Sequence, residues 1–224
     1  MDNDIPYLLL TPGPLTTSRR VREAMMRDYS TWDVDYNSLV DRVRDQLVRL
    51  ATNEDGYTCV LMQGSGTFAV EATLGSVLPA EGRLLVINNG AYGQRMATIA
   101  EKLGIPHLQL QAGETHPPAT ADLQQVLAAS PEITHVAMVH CETTTGMLNP
   151  AAEIGQVAKD HGCCYIVDAM SSLGGVPLSM EELKADYLVS SANKCIQGVP
   201  GFGFVIARQQ SIEAIDGQAR SLSL

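Results

Sequence analysis

The sequence is short of several things that would place it quickly. Basic residues are outnumbered, 15 Lys and Arg against 25 Asp and Glu, for a formal net charge of -10. That balance argues against a general nucleic-acid or anionic-membrane partner, although a small anionic ligand can still be held by local groups. No apolar run approaches the roughly 20 residues of a membrane helix, and the N-terminal MDNDIPYLLLTPGP is acidic where a secretory signal is basic. The five cysteines, Cys59, Cys141, Cys163, Cys164 and Cys195, are an odd number without metal-type spacing. Most fall inside apolar runs and read as core thiols in a reducing cytosol. There is no repeat, low-complexity tract or flexible linker, and one tryptophan, Trp32.

What is present is an ordinary globular chain of 224 residues, 45% hydrophobic and 18% charged, long enough for a substantial core. Residues 7–17, broken by Pro12-Gly13-Pro14, read as an irregular arm. Thr17 or Ser18 can cap a helix running to about Tyr29, and a second amphipathic helix is expected over 37–51 with Leu39, Val40, Val43, Leu47 and Leu50 as its stripe. From Tyr57 a rhythm sets in. Strand patterns at 57–62, 84–87, 107–110, 134–139, 164–167, 187–189 and 202–206 alternate with helical patterns at 68–77, 92–103, 121–129 and 152–160. Near-continuous apolar strands separated by helices predict an α/β fold, a three-layer, mainly parallel sheet with helices on both faces. The short Gly/Pro link between the last two strands allows one of them to run antiparallel.

Ligands of such sheets bind beyond the carboxyl ends of the strands, so the residues following each strand carry the chemistry. The first strand leads into Gln63-Gly64-Ser65-Gly66-Thr67, small residues at a helix start that suit a phosphate. The letters also fit a dinucleotide fingerprint, but the next strand ends in Asn88-Asn89-Gly90 without the ribose-binding carboxylate, and no G-K-[ST] follows. Tyr92, among glycines, is placed to stack on a planar ring or to pack at a helix start. His140 and Glu142 are a weak acid–base candidate. Asp168 closes an apolar strand, where it either caps a helix or faces a cation. Lys194 stands after the strand at 187–189, as a surface lysine on a turn or as a Schiff-base former. Phosphate cradle, stacking ring, strand-end carboxylate and lysine are together what pyridoxal phosphate requires.

The stretches TPGPLTTS, STWDVDY, QGSGTFAVEA, NNGAYG, HCETTTGMLNP, YIVDAMSS and SSANKCIQGVPGFGFVIA resemble the class V aminotransferase group of fold-type I pyridoxal-phosphate enzymes. The resemblance runs over essentially the whole chain. It implies Lys194 as the Schiff-base lysine and proton shuttle, and Asp168 as the partner of the cofactor's ring nitrogen. It further implies Ser65, Gly66, Thr67 and Asn193 at the phosphate, Tyr92 on the ring and Thr143 beside it. Thr11, Pro12, Gly13 and Trp32 are expected near the substrate entrance, with Arg20 or Arg95 toward a phosphonate. The activity implied is amino transfer from 2-aminoethylphosphonate to pyruvate, giving phosphonoacetaldehyde and L-alanine, in a cytoplasmic homodimer without metal. Another class V chemistry, such as alanine or serine with glyoxylate or pyruvate, and a non-catalytic remnant are the alternatives. Residues 1–18 are expected as an arm and 19–224 as the cofactor-binding large domain. The resemblance implies that members of the group continue into a small C-terminal domain, which is expected to be missing from these 224 residues, so weak cofactor binding and poor turnover are expected of them.

Overall fold

In the computed structural model, which describes residues 7–221, 223 and 224, the apolar runs from Tyr57 onward are strands. The first four are β1 (Tyr57–Gln63), β2 (Leu84–Asn88), β3 (His107–Gln111) and β4 (His135–Val139). A short separate hairpin, β5 (Cys141–Glu142) and β6 (Met147–Leu148), follows β4 and was not legible in the sequence. The last three strands are β7 (Cys164–Asp168), β8 (Tyr187–Ser191) and β9 (Phe202–Arg208). Apart from the hairpin, the strands form one seven-stranded sheet in the order β1-β9-β8-β7-β4-β2-β3. The five strands from β8 to β3 pair in parallel, while β9 runs antiparallel to both β8 and β1. The short β8–β9 link thus does reverse the chain. Strands β2, β4 and β8 are buried at every position, which explains their lack of polar alternation. Edge strand β3 is covered less, and His107, Leu108 and Gln109 reach solvent.

After a short first helix, α1 (Arg19–Ala24), the remaining helices sort onto two faces of the sheet. Helices α2 (Val34–Ala51), α5 (Thr120–Ala129), α6 (Ala151–Asp160) and the single turn α7 (Met180–Leu183) pack through Leu47, Leu123, Leu127, Ile154 and Met180 against one side. Helices α3 (Gly66–Val77) and α4 (Ala91–Lys102) cover the other through Val70, Leu74, Met96 and Ala100. A helix α8 (Gln209–Ala214) follows β9, with Ile212 against that second side. At about 25 cal/mol per Å² of buried apolar area, two such sandwiched layers supply the main drive for folding.

The N-terminal region departs from expectation. The helix proposed from residue 17 or 18 to 29 is only α1, capped by Ser18, whose Oγ accepts the Val21 N–H at 3.3 Å. None of its residues is buried, and Met25 and Met26 are exposed. A helix without a packed face gains too little to propagate. Helix α2 starts three residues earlier than expected, after Asp33, and Leu50 of its proposed stripe is 45% exposed.

Candidate functional site

The carboxyl ends of β1, β7 and β8 and the starts of α3 and α4 surround a cavity of about 600 Å³ that opens to solvent. Ser65, Gly66, Thr67, Tyr92, Thr143, Asp168, Asn193 and Lys194 all line it. They are scattered along the chain, and the parallel sheet brings them together because each follows or closes a strand on the same side.

Asp168 is the last residue of β7, held between Val139 and Val189 of the neighbouring strands and 5% exposed. Its Oδ1 accepts the Met170 N–H at 2.9 Å, and among the described residues no ion pair engages it. Burial pushes its pKa up to about 6; the Glu142 charge adds to the rise, and the Met170 hydrogen bond, Arg95 and Lys194 oppose it. A buried carboxylate without a cation is a receptor for one.

Lys194 lies in the turn between β8 and β9, which is closed by Gly198 N–H to Ala192 O at 2.7 Å and Gln197 N–H to Lys194 O at 2.8 Å. Its half-buried amine donates to Gly13 O at 3.2 Å. The arm crosses so closely that a Cβ on Gly13 would come within 2.4 Å of Asn193 O and Lys194 Cδ, and its φ of +146° is one that glycine tolerates.

The anion cradle is the first turn of α3. Ser65 caps the helix, its Oγ accepting the Phe68 N–H at 3.1 Å. The Gly66 and Thr67 N–H groups precede the first helical hydrogen bonds and are free for an anion. A Cβ on Gly66 would meet Met170 Sδ at 2.6 Å, so any larger residue here would push the Met170 side chain aside. Arg95 from α4 donates to Thr67 Oγ1 at 3.2 Å and lies 4.7 Å over the Tyr92 ring, adding positive charge beside the cradle. Ser191 Oγ, at the end of β8, also lines the cavity and is buried without a hydrogen-bond partner. Thr143 Oγ1 and Ser171 Oγ, 2.5 Å apart, also line the cavity.

Of the residues expected near the substrate entrance, Thr11, Gly13 and Trp32 stand outside the cavity's lining; Gly13 lies against Lys194, and Trp32 is 92% exposed. Arg20 is exposed on α1. His140 and Glu142 are not an acid–base pair. His140 Nδ1 lies 3.0 Å from Ser172 Oγ, whereas Glu142 faces the start of α4. Residues missed from sequence are Met170, Ser171 and Ser191. Their signal was position alone, two or three residues beyond Asp168 or closing the strand before Lys194.

The chain matches the family model described as Aminotransferase class-V over residues 16–220. The chain belongs to the class-V aminotransferase family. Among curated relatives, the 2-aminoethylphosphonate–pyruvate transaminase of Vibrio vulnificus (strain CMCP6) is 61% identical over 219 residues, and that of Syntrophobacter fumaroxidans is also 61% identical over 219 residues. These matches cover 97% and 98% of this chain but 60% and 59% of the relatives, so the chain spans about 60% of their length. The same fold is seen in solved structures. Ureidoglycine–glyoxylate aminotransferase from Bacillus subtilis superposes with a TM-score of 0.88 at 24% identity, over 97% of this chain and 56% of its own. Pyridoxamine–pyruvate aminotransferase from Mesorhizobium loti gives 0.86 at 25% identity, over 96% and 55%.

Proposed function

We propose that this chain forms the pyridoxal-phosphate-binding part of an aminotransferase that moves the amino group of 2-aminoethylphosphonate to pyruvate, yielding phosphonoacetaldehyde and L-alanine. The observation that carries the proposal is the meeting of Lys194, the unpaired Asp168 and the open first turn of α3 around one cavity. The names of the 61% identical relatives supply the substrates.

The residues present fit the cofactor. Each demand of a phosphorylated, protonated pyridine is answered by a group that is otherwise unengaged. These are the free N–H groups at α3, an unpartnered Ser191 hydroxyl, and a buried carboxylate without a cation. Ser65, Gly66, Thr67 and Asn193 would hold the phosphate, Tyr92 would cover the ring, Thr143 would stand beside it and Asp168 would face the ring nitrogen. When bound, pyridoxal phosphate supplies an electron-accepting ring and a temporary carrier for the amino group. Asp168 would favour positive charge on the ring nitrogen, because its burial makes an unpaired carboxylate costly. Lys194 Nζ would hold the cofactor as its covalent anchor and, when free, would serve as the base for the substrate carbon. The Gly13 carbonyl, accepting from Nζ at 3.2 Å, fixes the position of the amine.

Of the expected arm, residues 7–18 lead to Gly13 against Lys194 and residues 1–6 lie outside the described residues; the rest of the described chain acts as the large domain. The exposed Leu8, Leu10, Met25, Met26 and Val34 support a homodimer that buries the N-terminal face. Five free cysteines, and the absence among the described residues of any helix long and apolar enough to cross a membrane, support a cytoplasmic setting.

Titrating pyridoxal phosphate into the chain tests the proposal. A visible absorbance band is expected that Lys194→Ala lacks, and 2-aminoethylphosphonate should bleach it more readily than alanine or serine. Where pyruvate turnover is measurable, Lys194→Ala should lower it by roughly a thousandfold or more. No band in folded wild-type chain, or an equal band in Lys194→Ala, would sink the cofactor assignment. Bleaching by another amine alone would move the substrate to that amine.

A further inference from the structure

Glu142 is fully buried, yet no catalytic step uses it. It lies on the hairpin strand β5, and its carboxylate reaches across to the start of α4. Oε2 accepts the Tyr92 N–H at 3.2 Å and the Gly93 N–H at 3.5 Å, while Oε1 accepts the Thr144 hydroxyl at 3.1 Å. Helix α4 has no side-chain cap and no acidic residue in its first turn. Its N-cap, Gly90, has an extended backbone that any residue can adopt, so it is the space that demands glycine. A Cβ there would come within 2.3 Å of Glu142 Cγ and 2.5 Å of its Cδ. The helix therefore takes its N-terminal anion from another element, at the positive end of its dipole.

That helix is one wall of the cavity. Tyr92, Arg95, Met96 and Ile99 recur at helical spacing along it, and all four line the site. A shift of the first turn moves the Tyr92 ring first and Arg95, stacked on that ring, with it.

We propose that Glu142 is a positioning residue: by clamping the first turn of α4 it sets the angle of the Tyr92 ring over the cofactor and holds the Arg95 charge at the phosphate cradle. This rests on the cofactor reading above. Glu142 touches neither cofactor nor substrate in this role, and its effect passes through the Tyr92 and Gly93 amides.

The test uses the 224-residue chain with Glu142→Ala, Glu142→Gln and Tyr165→Phe. The last removes a buried hydrogen bond to Ala151 O that does not touch the cavity, and serves as a control for lost stability. Pyridoxal phosphate affinity, the visible circular dichroism of the bound cofactor and thermal stability are measured on each. Glu142→Ala is expected to weaken cofactor binding roughly tenfold beyond the control, as loss of a charged cap that orders a binding wall implies, and to alter the dichroic band. Glu142→Gln, keeping the shape and one acceptor oxygen, should recover most of both. Equal affinity and an unchanged band in Glu142→Ala at the same folded fraction would overturn the inference while leaving the function intact. If wild-type chain binds no cofactor, the functional reading itself fails and the role of Glu142 toward the cofactor falls with it.

Discussion

Neighbouring strands β7 and β8 each carry a buried aspartate, at opposite ends of the sheet. Asp186 stands just before β8, 8% exposed, and Asp168 closes β7, 5% exposed. Asp186 is surrounded by donors. Its Oδ2 accepts the Tyr165 N–H at 2.7 Å and pairs with Lys159 Nζ, and Arg208 Nε lies 3.9 Å from Oδ1. Asp168 has the Met170 N–H and, among the described residues, no paired cation, and burial raises its pKa to about 6. The same side chain is a finished joint at one end and an unfilled receptor at the other. In a parallel sheet the amino ends of the strands are tied to the preceding helices, whereas the carboxyl ends are left open for ligands.

The comparison breaks most visibly on the Asp186 side. Asp186→Ala leaves Lys159 without its partner and the Tyr165 amide without an acceptor, and is expected to cost about 3–5 kcal/mol. Denaturant unfolding measures it, and cofactor affinity at temperatures where the variant stays folded should be unchanged. A loss under about 1 kcal/mol, the range of a solvent-exposed ion pair, would mean that the pair is not the joint described.

Asp168→Asn should do the reverse. A folded-state pKa raised from 3.8 to about 6 means that folded chain holds the proton more tightly than unfolded chain. Stability from this group is then present below pH 3.8 and lost as pH rises through about 6. A rise of that size corresponds to about 3 kcal/mol. Cofactor-free Asp168→Asn, whose side-chain oxygen still accepts the Met170 N–H, is expected to gain on that order at neutral pH and to bind cofactor more weakly. Unchanged stability at neutral pH would show that the carboxylate is already compensated.

His135, at the amino end of β4, sharpens the contrast with the smallest effect at neutral pH. Burial is the main cause of its depressed pKa, about 4 against 6.5, and it is nearer the Asp186 than the Asp168 end of the sheet. A depressed histidine contributes stability above pH 6.5 that is lost as pH falls through about 4. His135→Gln should therefore flatten the acid side of the stability profile between those values, where Asp168→Asn steepens it, with little change in slope at neutral pH. Unfolding midpoints at closely spaced pH values decide it. Parallel profiles for the two variants would contradict the opposite signs.

Much of this was legible in one dimension. The strands at Leu84, His135, Cys164 and Tyr187 announced themselves as short apolar runs, since a strand covered on both faces has no water for polar side chains. Lys194, Asp168 and the Ser65–Thr67 turn were found by looking just past those runs. Glu142 reads in sequence only as a weak companion of its neighbour His140; its partners in space, the Tyr92 and Gly93 amides, lie about 50 positions earlier. Trp32 drew attention as the single tryptophan, yet it stands in solvent.

The sequence by itself determined the alternation of strand and helix, and with it which end of the sheet would carry the site. Both follow from the local periodicity of apolar side chains and from chain direction. Only the tertiary structure decided that β9 enters antiparallel between β8 and β1, that Gly13 lies against Lys194, and that Asp186 is paired while Asp168 is not. Charge state and partnership are properties of what meets in space, and at separations of up to 181 residues no local pattern records them.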